Sequence, residues 1–371
     1  MRFSCEKTIL QSAVSTAAKA ASARSPIPAL EGILLEAGVE HIKLTGYDLK
    51  KGIYTRIEAS VAEKGSMILG ARVFSNIVNS LPEGTITVKT EGQNATIRCG
   101  NAEFNIVGSD PTDYPELPDI DGQTGVSLPQ NLLSRMIRQT IFAVSDNESR
   151  PVYTGELFEL ENGSLTMVAV DGYRLALRRE KVEGVDGEYS FIVPGAALSD
   201  LEKLCGDTEE PVRISLGSKH ISFTIGETVL ISRRLEGEFL KYKTAVPSVF
   251  RVEVTADRAQ LQRTIERVSL IIDDRIKNPL RCTFGNGELR IVCATALGKA
   301  EDVCAIEGDG CGVEIGFNNR FVLDALKAAP VEEIKVCLNT GSSPCVLLPV
   351  EKAEDGSDFL YMILPVRLKA E

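Results

Sequence analysis

The sequence lacks the features that mark membrane-spanning and exported proteins. None of its apolar runs reaches the length of about 18 residues that a transmembrane helix needs. The first ten residues contain no basic segment followed by an apolar one, so we expect no signal peptide. The composition is that of a globular protein, because 43% of the 371 residues are apolar and 25% are charged.

Closely spaced cysteine pairs are also absent. The nine cysteines are scattered along the chain, and no two of them form a Cys-x-x-Cys motif. Most lie in apolar, strand-like runs, where a thiol packs as a small hydrophobic group. Unpaired cysteines in odd number are typical of a reducing compartment, so we expect a cytoplasmic protein without a zinc site.

Motifs of the common enzyme classes are missing. We find no phosphate-binding loop, zinc-protease motif or nucleophile elbow, and the Gly308–Gly312 stretch lacks the third glycine of GxGxxG. Only two histidines are present, His41 and His220, each directly before an apolar strand position. The adjacent Asp273 and Asp274 do not share a helix face, so we interpret them as a solvated turn. We therefore expect no catalytic residue, no metal and no cofactor.

What the sequence does contain is an internal repeat. Residues 32–48 align without a gap with residues 155–171, at an offset of 123. A third version begins at Leu280, and its Leu289 lies 124 residues after Leu165. Each version alternates apolar and polar residues around a glycine-containing turn, which predicts a β-hairpin.

Helices and further strands flank each predicted hairpin. Apolar residues at i, i+3 and i+4 predict helices at 6–22, 129–145 and 257–274 before the hairpins. Second helices are predicted at 71–81, 194–206 and 318–329, and strands follow them at 85–88, 212–216 and 334–338. The order predicts the α+β class, with three repeated domains that each pack two helices on antiparallel sheets.

The domain joints fall in two short segments. Residues 119–125 are rich in proline, aspartate and glycine, and a second break lies at 246–248. We therefore expect domains at 1–124, 125–247 and 248–371.

Charge is distributed unevenly between the helices and the rest of the chain. The net charge of −11 argues, by itself, against binding to nucleic acid. However, the six helix segments, with the first extended to Arg24, contain twelve basic and eight acidic residues, a net charge of +4. If they line one surface, that surface is able to face phosphates while the rest of the protein stays acidic.

Several short segments occur in one order along the whole chain. They are SPIPAL at 25–30, LPEG at 81–84, DGYRLA at 171–176, IVP at 192–194, EIGFN at 314–318 and YMILPVRL at 361–368. Together with the threefold repeat, they resemble the bacterial β sliding clamp family, the processivity subunit of DNA polymerase III. The resemblance implies a non-catalytic homodimer, closed head to tail into a ring of six domains around double-stranded DNA.

Domain size agrees with a ring of two chains. A compact domain of about 123 residues is roughly 35 Å across, so three in a ring leave a hole of about 5 Å. Six leave a hole of about 35 Å, which passes a duplex about 20 Å wide. One chain is therefore too small to encircle DNA, whereas two chains are large enough.

The resemblance also implies where DNA is touched. Arg24, Arg72 and the loop residue Asn147 are the expected contacts, to phosphates and without base readout. Two positions that are aromatic in some members of the family are Pro151 and Val152 here. This leaves contact between that loop and the template open.

A pocket for short apolar peptides of partner proteins is implied between the second and third domains. The expected partners are the DNA polymerase III alpha subunit, the clamp loader and other proteins with a clamp-binding motif. Carried over by position, the pocket residues are Tyr153, Val170, Gly172, Tyr173, Arg174, Leu175, Leu240, Ala245, Asn318, Phe321, Pro344, Met362, Ile363, Leu364, Pro365, Val366 and Arg367. Leu240 replaces a common proline, Thr244 stands where arginine can occur, and three residues follow Leu368.

The ring joint is expected between the first domain of one chain and the third domain of the other. Phe104 and Ile106 are predicted to pack against Ile271 and Ile272, which end a helix with more apolar surface than its own core needs. Two alternatives remain: an enzyme with a site built across repeats, and a monomeric peptide-binding adaptor that does not bind DNA. The enzyme requires convergent titratable groups, which the sequence lacks.

Overall fold

The computed structural model describes residues 1–120, 124–182, 187–273, 278–351, 353 and 356–368. Asp274, part of the first domain joint and the three residues after Leu368 lie outside these ranges. The chain divides into two compact units, Met1–Leu133 with Asp200–Arg234 and Ser134–Ser199 with Leu235–Glu371. Each is described separately below.

Every predicted helix segment contains a helix. The helices are α1 (Lys7–Ala18), α2 (Ala71–Ser80), α3 (Gln130–Thr140), α4 (Gly195–Leu204), α5 (Tyr242–Ala245), α6 (Arg258–Val268) and α7 (Asn319–Ala328). The single turn α5 was not predicted. Among the described residues, no helix has the length and hydropathy needed to cross a membrane.

Three of the predicted helices end earlier than expected. In α1, the N–H groups of Lys19 and Ala20 donate to carbonyls three residues back, which tightens and ends the helix. The α3 and α6 helices pass into 3₁₀ turns at Ile141–Ala143 and Ser269–Ile271. The prediction of a helix up to residue 274 is therefore wrong after Val268.

The strands follow the threefold repeat. Those of the first repeat are β1 (Arg2–Glu6), β2 (Gly32–Ala37), β3 (His41–Tyr47), β4 (Lys51–Glu58), β5 (Ser60–Glu63), β6 (Gly65–Gly70), β7 (Thr85–Glu91), β8 (Asn94–Cys99) and β9 (Ala102–Val107). Those of the second are β10 (Thr124–Pro129), β11 (Gly155–Glu161), β12 (Ser164–Val170), β13 (Arg174–Lys181), β14 (Tyr189–Pro194), β15 (Pro211–Leu216), β16 (His220–Ile225) and β17 (Thr228–Arg233). Those of the third are β18 (Val252–Asp257), β19 (Leu280–Thr295), β20 (Gly298–Phe317), β21 (Glu333–Leu338), β22 (Cys345–Pro349) and β23 (Asp358–Ile363).

The first two predicted hairpins are confirmed. β2 pairs with β3, and β11 pairs with β12 across Asn162 and Gly163, whose positive φ angles of 52° and 69° suit a two-residue hairpin turn. In the third repeat, the assigned strand β19 runs through Gly285–Gly287, where a turn was predicted. Its pairing with β20 shifts register on both sides of Asn286, so the glycines interrupt the ladder inside one strand.

Sheets continue from one repeat into the next. The first unit has a five-stranded sheet, β5-β1-β7-β8-β9, and an eight-stranded sheet, β10-β15-β16-β17-β4-β3-β2-β6. The second unit has a ten-stranded sheet, β14-β11-β12-β13-β23-β22-β21-β18-β20-β19. Because β4 pairs with β17 and β13 pairs with β23, both antiparallel, each compact unit contains strands of two repeats.

Helices cover these sheets through apolar side chains. In the first unit, Leu10 of α1, Phe74 of α2 and Ile33 of β2 are fully buried in one cluster. In the second, Leu261 of α6 and Leu326 of α7 pack in a cluster with strands of the third repeat. Burial of each such side chain stabilises the fold by about 1.5–3 kcal/mol. Helices packed on antiparallel sheets confirm the predicted α+β class.

Candidate functional site

A short turn between β12 and β13 organises the candidate site in the second unit. The Asp171 carboxylate accepts hydrogen bonds from the backbone N–H groups of Tyr173 and Arg174, at 2.8 and 3.0 Å. Gly172 adopts a φ of 92°, which residues with a side chain rarely adopt. The turn leaves the Tyr173 side chain 64% exposed.

Arg174 is held by charged and aromatic neighbours. Its Nε donates to Asp171 at 2.9 Å and its Nη1 donates to Asp324 at 2.6 Å. The guanidinium carbon lies 4.5 Å from the ring centre of Phe321 and 5.4 Å from that of Phe142. Arginine favours such planar stacking on aromatic rings, so this cation has a defined orientation.

The C-terminal segment completes this side of the site. β23 pairs with β13, with Ile363 opposite Arg174, and the Leu364 N–H then donates to the Tyr173 carbonyl at 2.8 Å. The Val366 N–H donates to the carbonyl of Gly316 at 2.8 Å. A Cβ at Gly316 would lie 2.3 Å from the Val366 carbonyl oxygen, so only glycine permits this approach.

An apolar cluster lies beside the turn. Val170, Leu175 and Met362 are buried in it, and Leu240 is half-buried against it. Ile363 was predicted in the same pocket but packs in the other core of this unit, because neighbouring strand residues point to opposite faces. The strand alternation within 361–368 would have revealed this difference.

The other predicted pocket residues differ in exposure. The ring of Tyr153 packs edge-on against Phe239, with centroids 5.6 Å apart. Pro344, Leu364 and Pro365 are half-buried, whereas Ala245, Val366 and Arg367 are exposed. These exposed residues offer polar and apolar atoms to a ligand at the surface.

A cleft of about 480 Å³ runs past Tyr173 and Arg174. It is lined by Val144, Ser145, Asp146, Asn147, Asp171, Tyr173, Arg174, Ile272, Asn278, Asn318, Asn319, Arg320, Phe321 and Asp324. The structure thus places three predicted classes together: the pocket residues Tyr173, Arg174, Asn318 and Phe321, the DNA contact Asn147, and the joint residue Ile272. Tyr173 stacks on Phe321 within it, with centroids 6.2 Å apart.

The predicted DNA contacts are accessible in their own units. In the first unit, Arg24 is exposed beyond the end of α1 and Arg72 is exposed in the first turn of α2. In the second unit, Asn147 is exposed, and its Oδ1 accepts the N–H of Ser149 at 3.0 Å. Each of the three side chains is thus accessible to solvent within its own unit.

Part of the positive helix charge is used inside the fold. Lys7 is buried and pairs with Glu83 at 2.8 Å, and Arg258 donates to the backbone carbonyls of Val331 and Leu326. These cations do not add to a DNA-facing surface. The sequence-based net charge of +4 therefore includes cations, and also the largely buried Asp200, that are paired inside the fold.

The predicted joint residues are only partly accessible. Phe104 and Ile106 are half-buried on β9, the edge strand of its sheet, and Ile271 and Ile272 pack partly on their own core. The adjacent Leu270 is 84% exposed and was not predicted. When α3 is aligned with α6, Leu270 takes the position of the aromatic Phe142.

Residues suited to acid–base or metal chemistry are dispersed. His41 begins β3 and His220 begins β16, where burial and the nearby Arg233 and Lys219 lower the pKa of His220. In the ranges that the structure describes, no group of three or more His, Cys, Asp or Glu side chains is arranged to hold a metal ion. Asp273 is exposed.

Models of one protein family match the chain in three consecutive parts. They are the N-terminal, central and C-terminal domains of the DNA polymerase III beta subunit, at residues 1–118, 127–241 and 243–367. The beta sliding clamp of Halalkalibacterium halodurans is 35% identical, over 99% of this chain and 100% of that protein. The beta sliding clamp of Bacillus subtilis is 32% identical over the same shares.

Solved structures agree with these matches. A putative DNA polymerase III beta subunit from Eubacterium rectale superimposes with a TM-score of 0.92 at 32% identity, over 99% of this chain and all of that one. The Bacillus subtilis sliding clamp gives 0.92 at 31% identity, with both chains fully covered. A Pseudomonas aeruginosa clamp bound to griselimycin gives 0.92 at 28% identity, over 99% of this chain and all of that one.

Proposed function

The chain belongs to the DNA polymerase III beta subunit family, the beta sliding clamps, and we propose that two copies close into a ring around duplex DNA. As a member of that family it is a processivity factor for DNA polymerase and an accessory subunit, not an enzyme. The ring is supported by one observation above all: the chain joins its repeats twice in the same way. In both cases, a strand that follows an aspartate turn pairs with the last strand of the next repeat.

Two strands are left over for a third joint of the same kind. The strand of the third repeat equivalent to β4 and β13 is the first part of β20, which begins at Gly298 and pairs with β19 on one side. β18 pairs with β20 further along, at Glu307. The strand of the first repeat equivalent to β17 is β9, which is the edge of its sheet in the described part of the chain. Pairing these two strands within one chain would close three repeats too tightly, whereas pairing them between two chains closes six.

Side chains at the in-chain joint support this assignment. Phe142, in the 3₁₀ turn after α3, packs edge-on against Tyr361 of β23 with ring centroids 5.3 Å apart. Leu270, in the turn after α6, is equivalent to Phe142 in the turn after α3. Phe104 of β9 is equivalent to Tyr361 of β23. The exposed Leu270 thus joins the proposed interface residues Phe104, Ile106, Ile271 and Ile272.

We propose that the ring holds DNA by enclosure and touches it through phosphates. Arg24, Arg72 and Asn147 are exposed and offer donors without forming a base-reading surface. The test is retention of the loaded protein on circular DNA compared with the same DNA after linearisation. Enclosure predicts loss from the linear form at free ends, and equal retention on both forms would contradict it.

We further propose that the site around Tyr173 binds short apolar peptides. The proposed partner proteins that supply these peptides are the DNA polymerase III alpha subunit, the clamp loader and other proteins with a clamp-binding motif. Apolar surface with few polar groups is typical of peptide-binding grooves. Here it is provided by the exposed Tyr173, the apolar cluster that contains Leu240, and the tail at 364–367. The alternative of a monomeric adaptor that binds peptides but not DNA predicts a mass of 40.2 kDa in solution instead of twice that value.

We also propose domain bounds and a cellular location for this chain. The domain bounds 1–124, 125–247 and 248–371 are supported by the position of the equivalent helices in each repeat. A cytoplasmic location is supported by the nine free cysteines, most of them buried.

A further inference from the structure

An ion pair occurs twice at equivalent positions of the repeat. Within the first unit, Lys51 at the start of β4 pairs with Asp200 of α4. Within the second, Arg174 at the start of β13 pairs with Asp324 of α7, with Nη1 and Oδ2 2.6 Å apart. The cations are 123 residues apart and the aspartates are 124 apart, so one design connects both pairs of consecutive repeats.

The turn before the cation identifies the equivalent position in the third repeat. Asp171 accepts the N–H of Tyr173, two residues later, at 2.8 Å. Thr295 Oγ1 likewise accepts the N–H of Leu297, two residues later, at 3.1 Å. Leu297 therefore corresponds to Tyr173, and the next residue, Gly298, corresponds to the cation.

The helices identify the other half of the contact. The equivalent second helices of the three repeats are α2, α4 and α7, and each contains ten residues. α2 and α4 directly follow a strand, and α7 follows its N-cap residue Asn318. The sixth residue is Asp200 in α4 and Asp324 in α7, but Asn76 in α2. The third residue is Phe321 in α7 and Val73 in α2.

The third joint thus lacks both charges. Asn76 is neutral, and Gly298 has a φ of 142°, which disfavours any residue with a side chain at this position. A second pair of positions in this joint, next to the missing charges, is apolar. Leu297 is 80% exposed and Val73 is 47% exposed, at the positions where Tyr173 stacks on Phe321 in the second unit.

We propose that the joint between two copies replaces the ion pair of the in-chain joints by an apolar contact of Leu297 with Val73 of the partner subunit. This inference rests on the proposed ring and adds the residues that meet there and the kind of contact they make. Burial of two exposed aliphatic side chains favours association without desolvating a charge pair. That suits the only joint that forms between separate molecules.

A charge-exchange cycle tests the contact. Leu297→Lys and Val73→Glu, each alone, should raise the dimer Kd by about tenfold or more, because each places one unpaired charge against an aliphatic side chain. The double variant places the two new charges together and should regain most of the lost affinity. Sedimentation equilibrium over a concentration series measures all four constants.

The controls separate this contact from the ring itself. Val249→Lys changes another highly exposed valine and should leave the Kd unchanged, and thermal unfolding confirms that each variant is folded. If the unchanged protein is monomeric at all concentrations, the proposed ring fails. If it dimerises but the two substitutions act additively in the double variant, the ring stands and the Leu297–Val73 contact is wrong.

Discussion

Glu156 is a buried carboxyl group outside the candidate site. Its Oε2 accepts a hydrogen bond from Thr140 Oγ1 at 2.7 Å, and Oε1 has no partner among the described residues. Burial raises the pKa of Glu156 to about 8, and the Thr140 hydrogen bond opposes that change only partly. The folded state therefore favours the neutral acid near neutral pH, whereas the unfolded chain has an ionised carboxylate there.

This carboxyl group should make stability depend on pH. Because its pKa is raised on folding, the free energy of unfolding should fall as pH rises from about 4.5 to 8, by about 1.4 kcal/mol per pH unit at most. Glu156→Gln keeps the shape and removes the ionisation, so it should flatten that slope. Urea unfolding at pH 5, 6.5 and 8 measures it, and the exposed Glu148→Gln serves as the control. An unchanged slope in Glu156→Gln would contradict the assignment.

Arg174 forms ion pairs within the fold and also lies in the proposed peptide site. Its partners Asp171 and Asp324 lie on the turn and on α7, and its side chain is 12% exposed. Asp324→Asn removes one of these partners and should lower the free energy of unfolding by about 1–3 kcal/mol. Arg174→Ala should cost more, because it also leaves Asp324 unpaired and removes the contacts with Phe321 and Phe142.

A double-variant cycle distinguishes the ion pair from independent effects. If Arg174 and Asp324 act as a pair, the double substitution should cost less than the sum of the single ones. Chemical denaturation of the four proteins gives the coupling. Strict additivity would show that the 2.6 Å contact does not stabilise the fold.

At the level of elements, the tail after β23 depends on one glycine of β20. The Val366 N–H bonds to Gly316, and a Cβ there would also meet Leu368 at 2.8 Å. Gly316→Ala should displace residues 364–368 and weaken peptide binding at the Tyr173 site by about tenfold. Fluorescence anisotropy with a labelled apolar clamp-binding peptide measures this loss.

Gly125→Ala is the matched control for the tail. A Cβ at Gly125 meets no atom within 4 Å, so its substitution should leave peptide binding unchanged. Retention of full affinity in Gly316→Ala would remove the tail from the proposed pocket.

For the whole molecule, the proposed ring depends on the edge of the first repeat and the end of α6. Leu270→Asp should yield monomers, because a carboxylate would replace the exposed leucine equivalent to Phe142. Multi-angle light scattering should then give a mass near 40 kDa, the value of one chain. The exposed Val249→Asp should remain a dimer. A dimer of Leu270→Asp would exclude this residue from the joint.

The order of the six longer helices and the first two hairpins was predictable from the sequence. The repeat at 32–48 and 155–171 became two equivalent hairpins, and every predicted helix segment contains a helix. Apolar spacing is a local property that each segment carries by itself, so it determines which face of a helix or strand is buried. The family follows from the same source, because its short segments occur in order along the chain.

Only the tertiary structure decided which residues meet. Pairing of β13 with β23 is a long-range contact, and it places Ile363 opposite Arg174 and Met362 opposite Leu175. The fold also pairs the buried Lys7 with Glu83, and it lets Arg258 donate to the carbonyl of Val331. Composition counts such charges equally, whereas burial and hydrogen bonding determine where each one acts. The physical reason is that side-chain direction depends on strand register and helix ends, which distant parts of the chain set together.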